Sequence, residues 1–329
     1  MVSLTLCFQV EQIADKGEDT SLRQTDGVKA SFIACMDGCG GAGAQVYAKA
    51  NNQSGARIAA EHTALALRNW FINNCYSANG FSGKSASDIA SEMKSEIDRE
   101  LLRQKELVGD EESGVKSRLA KTFPTTLASI VIDKSAEKNV RCISFWAGDS
   151  RTYILRTTGL QQTSIDDIRG HWDPFEALKN DGRLINVISL SSEYEIHYHE
   201  DYLNEPFIIV TATDGCFSYF RSPMEFEWIL LETLVNSKTP ADWESCLCEL
   251  LREFASDDYS MNICTVGYQD WREIQNAYNN RYVEFKQQFG EPLLQILSDN
   301  DEQAHYTLWQ KYKAGYMPEN RGINSCQVQ

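Results

Sequence analysis

The chain has 329 residues, 42% of them apolar and seven of them tryptophan, enough for one large domain or two small ones around a sizeable core. Its 31 Lys and Arg stand against 47 Asp and Glu, a formal net charge of −16. That balance argues against a nucleic-acid or anionic-membrane partner, since phosphate surfaces want a basic protein, and it is compatible with carboxylates that await divalent cations.

The opening stretch MVSLTLCFQVEQIADKGED has no basic region ahead of a long apolar run, so no signal peptide is expected. No later run approaches the length that spans a bilayer, and the expected location is cytoplasmic. The ten cysteines include Cys35 and Cys39, four apart, and Cys246 and Cys248, two apart, but no matching pairs of zinc-type spacing. They are expected to be reduced core or surface residues. The closing CQVQ is a poor prenylation box, because Gln327 is not aliphatic.

VSLTLCFQV and ASFIACMD are rich in β-branched and aromatic residues and predict two strands. A helix follows in SGARIAAEHTALALRNWFINN, with Ile58, Ala59, His62, Leu65, Leu67 and Trp70 near helical spacing. His62 there is a helix-face residue rather than a ligand, since Ala66 stands four positions on. SASDIASEMKSEIDRELLRQKEL opens on a Ser/Asp capping signature and carries Ile89, Met93, Ile97 and Leu101 every four residues. TLASIVID, RCISFWAG and RTYILR predict three more strands. Residues 161 to 205 are polar and predict loops and a flap, with His171, Trp172 and Phe175 as the most distinctive side chains. Then come the strand PFIIVTATD, helices in SPMEFEWILLETLVN and ADWESCLCELLREFA, and the strand MNICTVGY.

This order predicts an α+β fold, two packed antiparallel β-sheets flanked by helices in an α-β-β-α sandwich, rather than a repeating βαβ array. Past Tyr268 an amphipathic stripe of Trp271, Ile274, Tyr278, Tyr282, Phe285 and Phe289 begins. Gly290-Glu291-Pro292 is expected to break it, with further helices around 293–297 and 308–316. The expected division is a catalytic domain over 1–268 and a helical extension over 269–329. The stripe is expected to pack on the preceding domain, with a protein partner as the alternative.

The chemistry concentrates in FIACMDGCGGAG, where an apolar strand ends on Asp37-Gly38 and a glycine run. Asp-Gly alone is most often a turn. Three further motifs share the design: Asp149 after WAG, Asp214-Gly215 after FIIVTAT, and Asp257-Asp258 before YSMNICTV, with Glu18 and Asp19 upstream. Each alone suits a turn or a helix cap. Together they are carboxylates at strand ends, which repel each other unless hard divalent cations such as Mg²⁺ or Mn²⁺ neutralise them. No His or Cys cluster supports zinc.

The order Glu-Asp, Asp-Gly-x-Gly-Gly, Gly-Asp-Ser-Arg, Thr-x-Asp-Gly and Asp-Asp-x-Ser resembles the metal-dependent Ser/Thr protein phosphatases of type 2C, the PPM family, in its bacterial form. The resemblance runs from about Leu4 to Tyr268, and TTLASIVID and GLQQTSIDD agree with it. It implies a two-ion Mn²⁺ or Mg²⁺ site with a third, weaker ion. It implies that Asp37 bridges the two ions, that the Gly38 carbonyl, Asp214 and Asp257 complete the site, and that Glu18 and Asp19 orient water. It implies that Asp149 serves the third ion together with Asp214. The implied reaction is hydrolysis of phosphoserine and phosphothreonine in proteins by direct attack of a water or hydroxide that bridges the two ions. Asp37, Asp214, Glu18 and Asp19 are the implied catalytic residues. Departures are Cys39 where many relatives have His, Ala14 where a phosphate-binding Arg is usual, with Lys16 nearby, and no clear glycine in RLINVISLSS. The alternative function is a catalytically weak phosphatase-fold module that acts through protein partners.

Overall fold

The structure, a computed structural model, describes residues 4–75, 81–109, 120–136, 139–170, 173–179 and 182–317. His171, Trp172 and the terminal CQVQ lie outside the described residues. In chain order the first elements are β1 (Thr5–Val10), β2 (Thr20–Asp26), β3 (Ala30–Met36), β4 (Val46–Tyr47), β5 (Gln53–Ser54), α1 (Gly55–Cys75) and α2 (Ala86–Val108). Then come β6 (Leu127–Asp133), β7 (Val140–Ala147), β8 (Arg151–Arg156), β9 (Gly159–Gln162), α3 (Pro174–Ala177), β10 (His197–Leu203) and β11 (Phe207–Ala212). The chain continues through α4 (Pro223–Asn236), α5 (Pro240–Phe254), β12 (Tyr259–Val266), α6 (Trp271–Phe285), α7 (Glu291–Asp299) and α8 (Glu302–Tyr316).

The strands form two antiparallel five-stranded sheets, one in the order β1-β12-β11-β8-β9 and the other β10-β7-β6-β3-β2. Every residue of β3, β6, β11 and β12 is buried, because both faces of these central strands are covered. Ile33, Ile130, Ile154, Phe207, Ile209 and Cys264 fill the space between the sheets. There the Asn262 side chain donates across to the Ala34 carbonyl at 2.8 Å, a buried polar tie between sheets. α1 and α2 cover one outer face, where Phe32 stacks on Phe71 with centroids 5.5 Å apart. α4 and α5 cover the other with Met224, Leu230, Leu231 and Trp243. The predicted sandwich is therefore the observed one.

Local chemistry sets the helix starts. Ser85 accepts from Asp88 N–H at 3.1 Å while Asp88 accepts from Ser85 N–H, a capping box, and Ser222 and Glu225 form a second at α4. Sequence reasoning missed β2, β9, β10 and the two-residue strands β4 and β5. β2 and β10 are the two edges of one sheet, and edge strands carry polar residues such as those of TSLRQTD and HYHEDYL instead of an apolar alternation.

The C-terminal stripe docks. Ile274, Tyr278, Phe285, Leu308, Trp309, Tyr312 and Tyr316 join the same apolar cluster as Tyr153, Leu155 and Met224. Gly290-Glu291-Pro292 does not break the helix as expected. A π-turn over Lys286–Gly290 carries α6 into α7, and Glu291 N–H donates to the Lys286 carbonyl five residues back. Pro292 then sits in the first turn of α7, where a missing N–H costs little.

Candidate metal centre

Register places the acidic motifs on one edge. In one sheet Thr20 pairs with Met36, Cys35 with Ala128 and Leu127 with Ala147, so the start of β2, the ends of β3 and β7 and the start of β6 lie together. In the other sheet Ala212 pairs with both Arg151 and Met261, which aligns the end of β11 with the starts of β8 and β12. Glu18 and Asp19 precede β2, Asp37 follows β3, Asp149 sits between β7 and β8, Asp214 follows β11, and Asp257 precedes β12. All six carboxylates thus leave the sandwich on the same side.

Hydroxyls and amides hold the backbone around them. The Asp37 carbonyl accepts from Thr125 Oγ1 at 2.7 Å and Thr126 N–H at 2.8 Å, and Asp37 N–H donates to Thr126 Oγ1 at 3.0 Å. Gly38 is required by close approach, since a Cβ there would lie 2.7 Å from the Ala56 carbonyl oxygen and 2.8 Å from that of Glu18. Gly148 has φ +95°, and its Cβ would meet Thr126 Cγ2 at 2.8 Å. Asp258 clamps the loop before β2, accepting from Gln12 N–H at 2.8 Å and Glu18 N–H at 2.9 Å. Thr213 Oγ1 donates to Asp19 at 2.8 Å, and the Ser54 hydroxyl donates to Glu18.

The electrostatics are those of a site short of positive charge. Burial, and then the charges of Asp214, Asp19, Asp149 and Asp257, push Asp37 well above the usual carboxylate range. Burial followed by Asp214 and Asp166 does the same to Asp149. Asp214 is pushed up to about 6, by burial first and Asp257 second. Asp19 rises to about 7 through burial, against the Thr213 hydrogen bond, with Asp214 and Asp258 adding to the rise. Burial raises Glu18 as well.

These residues fit hard cations. Asp149 Oδ1 is buried with no hydrogen-bond partner, an orphaned oxygen ligand. The donors are all carboxylate and carbonyl oxygen, the set Mg²⁺ and Mn²⁺ prefer. As placed, no three His, Cys, Asp or Glu among the described residues stand close enough to enclose an ion.

Sequence reasoning missed the residues that support the site. Asp166 pairs with Arg151 at 2.6 Å, a buried ion pair, and the guanidinium lies 4.2 Å from the Phe217 ring centroid. Asp167 accepts from Gly148 N–H at 3.0 Å and so fixes the turn that carries Asp149. The only signal for these partners was the IDD of GLQQTSIDD. Arg57 was missed too: its guanidinium donates to the Asp15 carbonyl at 3.0 Å, next to Ala14, while pairing with Glu61 at 2.9 Å. Cys39 lies in the glycine loop, where burial and then Asp37, Asp149 and Asp214 hold its thiol neutral, with a pKa well above that of a free thiol.

No family model matches the chain, nor does any curated protein at a significant level. Solved structures do. The serine/threonine phosphatase PstP/Ppp of Mycobacterium tuberculosis is 18% identical with a TM-score of 0.55, covering 82% of this chain and 100% of its own. Stp1 of Staphylococcus aureus is 16% identical with a TM-score of 0.59, covering 82% of this chain and 96% of its own. The PstP catalytic domain solved with two manganese ions is 19% identical with a TM-score of 0.50, covering 80% of this chain and 99% of its own. These structures are spanned almost completely, while about a fifth of this chain is left over. The chain has the fold of the bacterial PPM-type Ser/Thr phosphatases.

Proposed function

We propose that the chain is a metal-dependent protein serine/threonine phosphatase that hydrolyses phosphomonoesters by direct attack of water. The observation that carries this reading is the shared sandwich edge of Asp37, Asp149, Asp214 and Asp257, with an orphaned buried oxygen on Asp149. The solved structures of the same fold support it, and PstP holds two manganese ions. We assign catalysis to residues 1–268 and a supporting role to 269–329.

Asp37, the Gly38 carbonyl, Asp214 and Asp257 would hold two divalent ions, and Asp149 with Asp214 a third. When bound, the ions supply a water activated near neutral pH and neutralise phosphate charge. Glu18 and Asp19 orient that water, their own positions held by Ser54, Asp258 and Thr213. Arg57 offers a guanidinium beside the Ala14 position for the phosphate dianion. No cysteine is needed as nucleophile, and the neutral Cys39 thiol is a small neighbour of the site. The eight cysteines whose side chains are described are free thiols, and no helix of the described residues is long and apolar enough to cross a membrane.

The test is hydrolysis of para-nitrophenyl phosphate with Mn²⁺, Mg²⁺ or EDTA by wild type and Asp214→Asn. Metal-dependent turnover that disappears in the variant supports the proposal. Absence of turnover with either metal, from folded protein that binds Mn²⁺ in calorimetry, overturns it.

A further inference from the structure

α8 reaches Arg151 through a chain of buried hydrogen bonds. Tyr316 Oη donates to Gln162 Oε1 at 2.9 Å, and Gln162 Nε2 donates to the Ser164 carbonyl at 3.0 Å and to Asp166 Oδ1 at 3.3 Å. Asp166 accepts from Arg151 Nε at 2.9 Å and from a terminal guanidinium nitrogen at 2.6 Å. Tyr316, Gln162 and Arg151 are each 1% exposed, so water does not compete for these bonds. Arg151 stands two residues after Asp149 and against Phe217, three residues after Asp214.

The same helix is anchored one and two turns earlier. Lys313 Nζ and Trp309 Nε1 meet on Asp173 Oδ2 at 2.8 and 3.3 Å, while Asp173 Oδ1 caps the Phe175 N–H at 2.9 Å. The Phe175 ring stacks on Trp309, 13° from parallel with centroids 5.8 Å apart. These contacts fix where along α8 Tyr316 falls.

We infer that α8 is a positioning element of the carboxylate site: Tyr316, through Gln162 and Asp166, holds Arg151 and thereby sets the places at which Asp149 and Asp214 receive a divalent cation. The turnover arm of its test rests on the phosphatase reading; the binding arm does not. A purely structural role predicts that any lost α8 hydrogen bond acts alike. Tyr312 supplies the control, since its hydroxyl donates to the buried Glu227 at 2.5 Å, a carboxylate paired with Arg281 and outside the Asp166 chain.

The experiment uses the full chain as wild type, Tyr316→Phe, Tyr312→Phe, Asp149→Asn and the double variant Tyr316→Phe with Asp149→Asn. Readouts are thermal unfolding, calorimetric titration with Mn²⁺, and kcat and KM on para-nitrophenyl phosphate. Both Tyr→Phe changes are expected to lower the melting temperature. Tyr316→Phe alone is expected to weaken Mn²⁺ binding on the order of tenfold, the low end for loss of an outer-shell partner. It is also expected to lower kcat with KM unchanged, and to act less in the Asp149→Asn background, where only Asp214 still depends on Arg151. Equal Mn²⁺ affinities for Tyr316→Phe and Tyr312→Phe, or a full Tyr316→Phe effect without Asp149, overturn the inference. A wild type that binds Mn²⁺ without turnover removes the phosphatase reading and leaves the binding comparison to decide. A wild type that binds no Mn²⁺ overturns both.

Discussion

Replacing Asp214 by Asn should make the metal-free protein more stable while removing its response to metal. Burial and Asp257 raise the Asp214 carboxyl from 3.8 to about 6. Below pH 4 the carboxyl is protonated in the folded and unfolded chain alike. Between pH 4 and 6 the unfolded chain releases the proton that the folded one still holds, so stability falls as pH rises, and above about 6 the whole cost is present. At about 1.4 kcal/mol for each tenfold change in proton affinity, the cost at pH 7.5 is about 3 kcal/mol. Asn carries no charge and escapes it. Melting in EDTA at pH 7.5 should therefore rise on the order of 5 °C in Asp214→Asn. The wild type in EDTA should melt lower at pH 7.5 than at pH 4.5. Mn²⁺ should stabilise the wild type, by about 2.7 kcal/mol at a hundred times its Kd, and leave the variant nearly unmoved. A variant that melts at or below the wild type in EDTA, or a wild type with no fall between pH 4.5 and 7.5, would refute the electrostatic account.

Two further outcomes follow from the same site. Gly148→Ala forces a side chain onto φ +95° and against Thr126, so it should cost about 1–3 kcal/mol in urea unfolding and lower turnover by displacing Asp149. Cys39→Ser should keep most activity, and wild-type Cys39 should alkylate slowly at neutral pH, since desolvation and then Asp37, Asp149 and Asp214 hold its thiol neutral; rapid labelling at pH 7 would contradict the neutral thiol.

The candidate site was more legible than its supports, for a physical reason. Asp37, Asp149, Asp214 and Asp257 each interrupt or flank an apolar run, and a carboxylate beside such a run stands out in a single sequence. Their supports are Thr125, Thr126, Thr213, Ser54 and Asp166, ordinary polar residues whose meaning depends on which strand lies next to them. The pairing of β3 with β6 brings Thr126 to Asp37, and no local pattern announces that pairing. The central strands were readable because both faces are buried, whereas β2 and β10 pair on one side only and keep polar sequences. The C-terminal helices were readable from their aromatic stripe. The junction at Gly290 was not, because a π-turn differs from a break by one hydrogen bond, that from Glu291 N–H to the Lys286 carbonyl.

A site that repels itself has to be held by packing elsewhere, and Trp309 allows that dependence to be measured. Its side chain is fully buried against Phe175 and Tyr316, and Trp309→Ala should cost about 3–5 kcal/mol. If α8 only fills the core, that cost is the same in EDTA and in Mn²⁺, because distant and independent terms add. If α8 also sets the cation site, the two are linked and the linkage is reciprocal: whatever the substitution takes from Mn²⁺ affinity, Mn²⁺ takes from the stability of the variant. A tenfold loss of affinity then appears as about 1.4 kcal/mol of extra destabilisation in saturating Mn²⁺. Urea unfolding of wild type and Trp309→Ala, each in EDTA and in Mn²⁺, gives the four free energies. The expected result is a larger cost with metal than without. Equal costs would make α8 a filler of the core and nothing more, however well its hydrogen bonds line up with Arg151.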